Sequence, residues 1–387
     1  MMNKIPFNKP EIVGREMYYI AQAIMNGHSS GNGTFSRRAE IALEENLENL
    51  VDVQLTTSCT SALETSALLL NVAPGDEIIL PSYTFVSTAN AFALRGAKLS
   101  FVDVDADTMN ISLDAVAKAI TPKTKAIVPV NYAGISCDMD ALLDLAQAHD
   151  IAVCEDAAQS IGSKYKGRPL GTFGDLASFS FHETKNIICG EGGALAIRNE
   201  NYIERAEIIR EKGTDRSKFF RGEIDKYSWV DLGSSYILSD ILSAFLLAQL
   251  EQIEDITAHR RALFYRYKEN LDHLANMAEF DLGVSIVPDY NECNGHIFYI
   301  TLHDTPQRQR LIAYLKERDI MSVFHYVPLH QSPYGKSHSV GERSLPVTEQ
   351  KAGQLLRLPL YPSLQMDQVD TICNHVADFF EAEKKAL

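Results

Sequence analysis

The chain has 387 residues, 45% hydrophobic and 22% charged, an ordinary globular composition in a length that calls for a large unit plus a smaller one. A formal net charge of −15 disfavours nonspecific binding to nucleic acid or anionic membrane, and an anionic small substrate then requires positive groups gathered locally. Six scattered cysteines (Cys59, Cys137, Cys154, Cys189, Cys293, Cys373) form no CxxC pair, which argues against a zinc site or a disulfide framework.

The opening "MMNKIPFNKPEIVG" has no apolar run of the signal-peptide kind, and no later stretch approaches a membrane span. The expected compartment is the cytoplasm. From about residue 50, β-rich runs alternate with amphipathic helical ones: "VDVQLTT" then "SALETSALLLNV", "DEIILP" then "TFVSTANAFALRG", "KLSFVDVD" then "LDAVAKAI", "AIVPVNYAG" then "DMDALLDLAQAHD", and finally "IAVCEDAA". Repeated strand–helix order predicts an α/β fold whose mostly parallel sheet is covered on both faces. Ligands of such sheets bind beyond the carboxyl ends of the strands.

After "DLASFSFH" and "GALAIRN" the pattern turns helical, and past residue 280 a new β/α alternation begins with "IFYITLH", "PQRQRLIAYLKERDI" and "MSVFHY". The expected division is a large unit over 1–255 and a small α+β unit over 256–387.

Four loops at strand ends carry candidate chemistry. "SCTS", Ser58 to Ser61, joins a strand to a helix, so it is either an N-cap or a phosphate seat made by free N–H groups and the helix dipole. In "PSYTFVSTAN", Phe85 could pack in the core or present a flat face to a ring. "CEDAAQS" puts Asp156 at the mouth of the sheet, where it caps a helix or pairs with a protonated ring nitrogen. In "SFHETKNIICGEGG", the alternation before Lys185 suggests a strand leading inward. A desolvated lysine there is a nucleophilic amine able to form a Schiff base. Together the four loops supply the handles of pyridoxal phosphate: phosphate seat, aromatic face, carboxylate for the ring nitrogen and amine for the aldehyde.

The loop between Lys212 and Lys226 adds Arg216, Lys218 and Arg221 around Phe219 and Phe220. Against the acidic background it reads either as a local seat for a nucleotide diphosphate or as a solvated loop.

"EDAAQS", "SFSFHETKN" with "GEGG", and "PGDEIILPSYTFVSTANAF" resemble the sugar aminotransferases of the DegT/DnrJ/StrS family, from "IPFNKP" to the carboxy-terminal helices. The resemblance implies the aspartate aminotransferase type of fold, with a seven-stranded sheet, and a homodimer whose active sites are built from two subunits. It makes Lys185 the cofactor-binding and catalytic lysine, and Asp156 the partner of the pyridine nitrogen. Gln159 would lie near the ring, Phe85 would stack on it, and Cys59, Thr60 and Ser180 would hold the phosphate. Where many members have "GYNYR", this chain has "GSSYI", so Ser235 stands at the position of an asparagine that reaches across the dimer. The stretch "EKGTDRSKFFRGEIDKYSWVDLGSSYILSD" and "FHYVPLH" resemble a subgroup that transfers an amino group from L-glutamate to C4 of dTDP-4-keto-6-deoxyglucose. Arg216, Lys218, Phe220, Arg221, His325 and Tyr326 are then candidate substrate contacts. "SSGNGTF" resembles the family's mobile substrate loop.

The rivals are a C3-dehydratase, in which a histidine replaces the lysine, a transaminase forming the C4 epimer or acting at C3, and a non-catalytic binding or regulatory protein. Lys185 speaks against the first, and the lack of a basic helical module before residue 50 against the last.

Overall fold

A computed structural model describes residues 4–277 and 280–386; the first three residues of the opening segment lie outside the described residues. Seven strands build the main sheet: Asp52–Thr56 (β1), Glu77–Pro81 (β2), Lys98–Val102 (β3), Thr124–Ile127 (β4), Ala152–Asp156 (β5), Leu176–Ser180 (β6) and Gly193–Ile197 (β7). They lie in the order β1-β7-β6-β5-β4-β2-β3, and only β7 runs antiparallel to its neighbours. β6 and β7 are buried at every position and β5 at four of five. Such continuous burial is what a sheet covered on both faces requires.

The expected seven strands become eight. Ser339–Val340 adds to the free edge of β3 in parallel, pairing with Leu99 and Ser100. Two residues are too short to leave a period in the sequence.

Helices Glu16–Met25 and Thr34–Asn46 pack with Asp240–Leu250 around Tyr19, Phe35, Leu43, Leu246 and Leu247 on one side of the sheet. Helix Cys59–Leu69 meets Val86–Ala93 through Leu63 and Phe92 in a second core. A third core lies around an antiparallel sheet of Gly283–Val284, Phe298–Thr301, Leu355–Leu358 and Val323–Phe324. The long helix Ile253–Ala275 serves two of these cores. It gives Ile253 and Ile256 to the first, then Leu263, Phe264, Tyr267 and Leu271 to the third. The third core also takes Ile5, whose N–H donates to the Asp319 carbonyl at 2.9 Å. Among the described residues, no helix is long and apolar enough to cross a membrane. The six cysteines are free and buried.

Strand alternation separates the two acids of "CED". Glu155 is fully buried and accepts from the N–H groups of Gly171 (2.9 Å), Phe173 (2.8 Å) and Gly174 (2.9 Å), and from the Asn131 amide (3.2 Å). Its lone pairs are spent on holding the turn before β6. Asp156, one residue on, faces the other way.

Candidate active site

The carboxyl ends of β1, β2, β5 and β6 surround a cavity of ≈ 610 Å³, closed from above by residues of the third core. Cys59, Thr60, Phe85, Asp156, Gln159, Ser180, Lys185, His325 and Tyr326 all line it. Five of the nine come from the strand-end loops and four, Gln159, Ser180, His325 and Tyr326, from the resemblance.

Lys185 sits on the loop between β6 and β7. The loop is closed by Phe181 N–H to the Gly192 carbonyl (2.9 Å) and Cys189 N–H to the Phe181 carbonyl (2.8 Å), and its Lys185 N–H donates to the His182 carbonyl at 2.9 Å. The neighbouring Asn186 fastens the loop to the third core: its side-chain oxygen meets His296 Nδ1 at 2.8 Å and its amide donates to the Asn294 carbonyl at 3.1 Å. Among the described residues, no ion pair or hydrogen bond engages the Lys185 amine. Burial pushes its proton affinity below the ordinary 10.5, and the nearby Arg357 charge adds to that, against the opposing pull of Cys59 and Asp156.

Asp156 is 6% exposed. Thr88 donates its hydroxyl to Oδ2 at 2.6 Å, and the Ala158 N–H reaches Oδ1 at 3.2 Å. These bonds favour the carboxylate, yet burial outweighs them and raises the pKa above 3.8. The charge lacks a bonded cation, and a protonated ring nitrogen would supply one.

The N-cap reading of "SCTS" holds, and the loop also reaches the cavity. The Ser58 hydroxyl caps the helix Cys59–Leu69 by accepting from the Ser61 N–H at 3.1 Å, while Cys59 and Thr60 line the cavity at the helix start. The Thr60 hydroxyl donates to that of Ser87 at 2.8 Å. Gly193 opposes this start so closely that a Cβ would lie 2.3 Å from the Cys59 nitrogen. Gly193, the last glycine of "GEGG", thus admits the chain's own backbone. Burial pushes the Cys59 thiol well above its usual range, so it is a packing group. Ser180, at the end of β6, completes the rim. Phe85, at the N-cap position of the helix Val86–Ala93, is 57% exposed and presents its ring to the cavity instead of the core.

Gln159 accepts the Ala133 N–H at 2.7 Å and approaches the Tyr326 hydroxyl at 3.5 Å. Tyr326 packs edge-on against Tyr83 and Tyr132, and the Tyr132 hydroxyl meets His325 Nδ1 at 3.2 Å. Burial drives the pKa of both His325 and His296 well below 6.5 and keeps them neutral.

Five expected residues do not line this cavity: Arg216, Lys218, Phe220, Arg221 and Ser235. Lys218 pairs with Glu204 at 2.5 Å, and Arg221 with Glu207 at 3.0 Å and Glu223 at 2.6 Å. Arg216 lies 4.9 Å from the Phe220 ring centroid and 3.9 Å from Glu211. The positive cluster read from the loop is thus neutralised within the chain, mostly by acids on the helix Ile203–Arg210. Ser235 is exposed and bridges backbone with Glu211. "SSGNGTF" is also tied down in this structure. The Ser30 carbonyl accepts the Asp240 N–H at 3.2 Å, Asp240 accepts from the Phe35 N–H at 3.4 Å, and Asn32 donates to Glu211 at 2.8 Å.

Residues that sequence reading missed are Thr88, His296, Arg260 and Arg357. Arg357 had a signal, a lone charge inside the apolar "QLLRLPL".

A desolvated free amine, a buried carboxylate without a cation, hydroxyls at a helix start and an exposed aromatic face fit pyridoxal phosphate as a donor set. Fold and site together define a pyridoxal-phosphate-dependent aminotransferase. The DegT/DnrJ/EryC1/StrS aminotransferase family model matches residues 10–377, and the chain belongs to that family of sugar aminotransferases.

Solved structures agree. The aminotransferase TlmJ from Streptoalloteichus hindustanus is 29% identical at a TM-score of 0.89, covering 98% of this chain and 100% of its own. S. venezuelae DesV, in complex with a ketimine intermediate, is 30% identical at 0.88, covering 98% and 99%. Spr1654 from Streptococcus pneumoniae has both a PLP form and a PMP form; the PLP form is 26% identical at 0.88 and covers 100% of each chain.

Proposed function

We propose that the chain moves the amino group of L-glutamate to C4 of dTDP-4-keto-6-deoxy-D-glucose, giving 2-oxoglutarate and dTDP-4-amino-4,6-dideoxy-D-galactose. This is the reaction of dTDP-4-amino-4,6-dideoxygalactose transaminase. The amino-transfer part rests on one observation, the unpaired Lys185 amine held in the cavity with Asp156. The choice of sugar rests on the resemblance of residues 211–240 and of "FHYVPLH" to that subgroup.

When bound, pyridoxal phosphate supplies the electron sink that makes a carbon-bound proton acidic. Asp156 holds the ring nitrogen protonated, and the helix start at Cys59 and Thr60, with Ser180, receives the phosphate. Phe85 covers the ring face. Lys185 anchors the cofactor covalently. Its amine, when free, would act as the general base for the proton on the donor α-carbon, and in the second half-reaction would return a proton to C4 of the sugar. Residues 1–255 carry the cofactor contacts, and 256–387 close the cavity through His296, His325, Tyr326 and Arg357.

NMR of the product formed from the keto sugar and glutamate tests the sugar assignment. An axial amine gives a small H3–H4 coupling. A large coupling would show the gluco epimer, and an amine on C3 a different regiochemistry; either overturns this assignment.

Arg216, Lys218, Phe220, Arg221 and Ser235 serve the cavity of a second copy. Beside them, Trp229 is 76% exposed, with Tyr227, Val230 and Leu232 also exposed, an apolar surface that a partner would cover. Mixing Lys185→Ala with Arg216→Ala protein, each inactive alone, is expected to restore about a quarter of wild-type turnover through hybrid dimers with one complete site. No recovery after subunit exchange would place those residues outside the active site.

A further inference from the structure

Arg357 lies on the strand Leu355–Leu358, where Leu356 and Leu358 face the third core and Leu355 faces the tyrosine cluster of Tyr83, Tyr132 and Tyr299. Strand alternation puts Arg357 on the side of Leu355, and it lines the cavity. Its guanidinium stacks over the Phe7 ring at 4.7 Å. Among the described residues, no carboxylate pairs with it, and its buried Nε has no hydrogen-bond partner. The hydroxyls of Tyr132, Tyr326 and Tyr83 act on it electrostatically. A permanent cation stacked on one face, with its donor edge free inside a cavity, is built for an incoming anion.

Two anions are candidates under the proposed reaction. In a nucleoside-diphosphate hexose the diphosphate hangs from C1, across the ring from the reacting C4. In an α-amino acid the carboxylate is bonded to the carbon that carries the amine. Arg357 lines the same cavity as Lys185 and its charge disfavours protonation of that amine, which favours the anion borne by the reacting carbon. The neutral His325 and His296 do not compete for that anion.

We propose that Arg357 receives the α-carboxylate of the amino donor, and of the 2-oxo acid that leaves, making it a specificity-determining residue for α-amino acids over simple amines. This rests on the aminotransferase reading but not on the identity of the sugar.

The test uses holoenzyme in the first half-reaction alone, comparing L-glutamate with 4-aminobutyrate, which is glutamate without its α-carboxylate. Arg357→Gln is expected to raise the glutamate concentration for half-saturation about 100-fold while 4-aminobutyrate is little affected, so the preference for glutamate collapses. Arg357→Lys, which keeps the charge, is expected to recover part of it. Calorimetric titration with glutarate gives a readout without turnover: binding to wild type, and about 100-fold weaker binding to Arg357→Gln. An unchanged glutamate preference in a variant that retains the wild-type cofactor spectrum, or loss of nucleotide-sugar affinity in its place, overturns the proposal. If wild type fails to convert glutamate at all, the aminotransferase reading falls instead.

Discussion

Replacing Lys185 with alanine is expected to lower turnover by about 10⁴-fold or more, because one side chain is both the covalent anchor and the general base. The protein should still fold. Among the described residues the amine makes no ion pair or hydrogen bond, and burial penalises its charge, so removing it relieves a cost. Loss of activity in a folded variant can then be read as loss of chemistry. The variant is expected to lack the visible absorbance that added cofactor gains on covalent attachment. Borohydride reduction of wild-type holoenzyme, followed by peptide mapping, should place the cofactor on Lys185. The depressed proton affinity adds a pH signature: covalent uptake of the cofactor should rise with pH and level off below 10.5, the ordinary lysine value. A Lys185→Ala protein with near-wild-type turnover, or a label on another lysine, would end the assignment.

The loops that converge on the cavity were legible because each follows a strand with strong periodicity, and parallel topology brings strand ends together whatever the intervening distance in sequence. Lys185, Asp156, Phe85 and "SCTS" belong to this class. Arg357 was legible only as a lone charge in an apolar run, because its meaning depends on which acids the fold leaves out of reach. The loop between Lys212 and Lys226 was legible as a group of cations but not in its pairing. Its cations looked uncompensated, yet Glu204 and Glu207, three apart on the preceding helix, turn back onto them. "GEGG" announced a close approach without saying to what; at Gly193 the partner is the backbone at Ser58 and Cys59. The edge strand Ser339–Val340 has too few residues to carry a period.

Asp156→Asn separates two consequences of the same buried charge. Under the proposed assignment the carboxylate keeps the ring nitrogen of bound cofactor protonated; asparagine cannot, and turnover is expected to fall by about 10²–10³-fold with smaller changes in half-saturating substrate. Without cofactor the charge is a liability. Its folded pKa is raised above 3.8, mainly by burial. A carboxyl raised in the folded state carries a folding penalty that sets in as pH climbs through 3.8 and is complete above the folded value. Cofactor-free Asp156→Asn should therefore be at least as stable as wild type at neutral pH, with the difference fading as pH drops below 3.8. Asparagine fits the site: the Thr88 hydroxyl, 2.8 Å from that of Thr84, can donate to Thr84 and accept from the new amide. Thermal melts of the two cofactor-free proteins at neutral and acid pH check this, alongside their half-reaction rates. Retained turnover would remove Asp156 from the cofactor ring. Marked destabilisation at neutral pH would instead make its carboxylate a structural acceptor like that of Glu155.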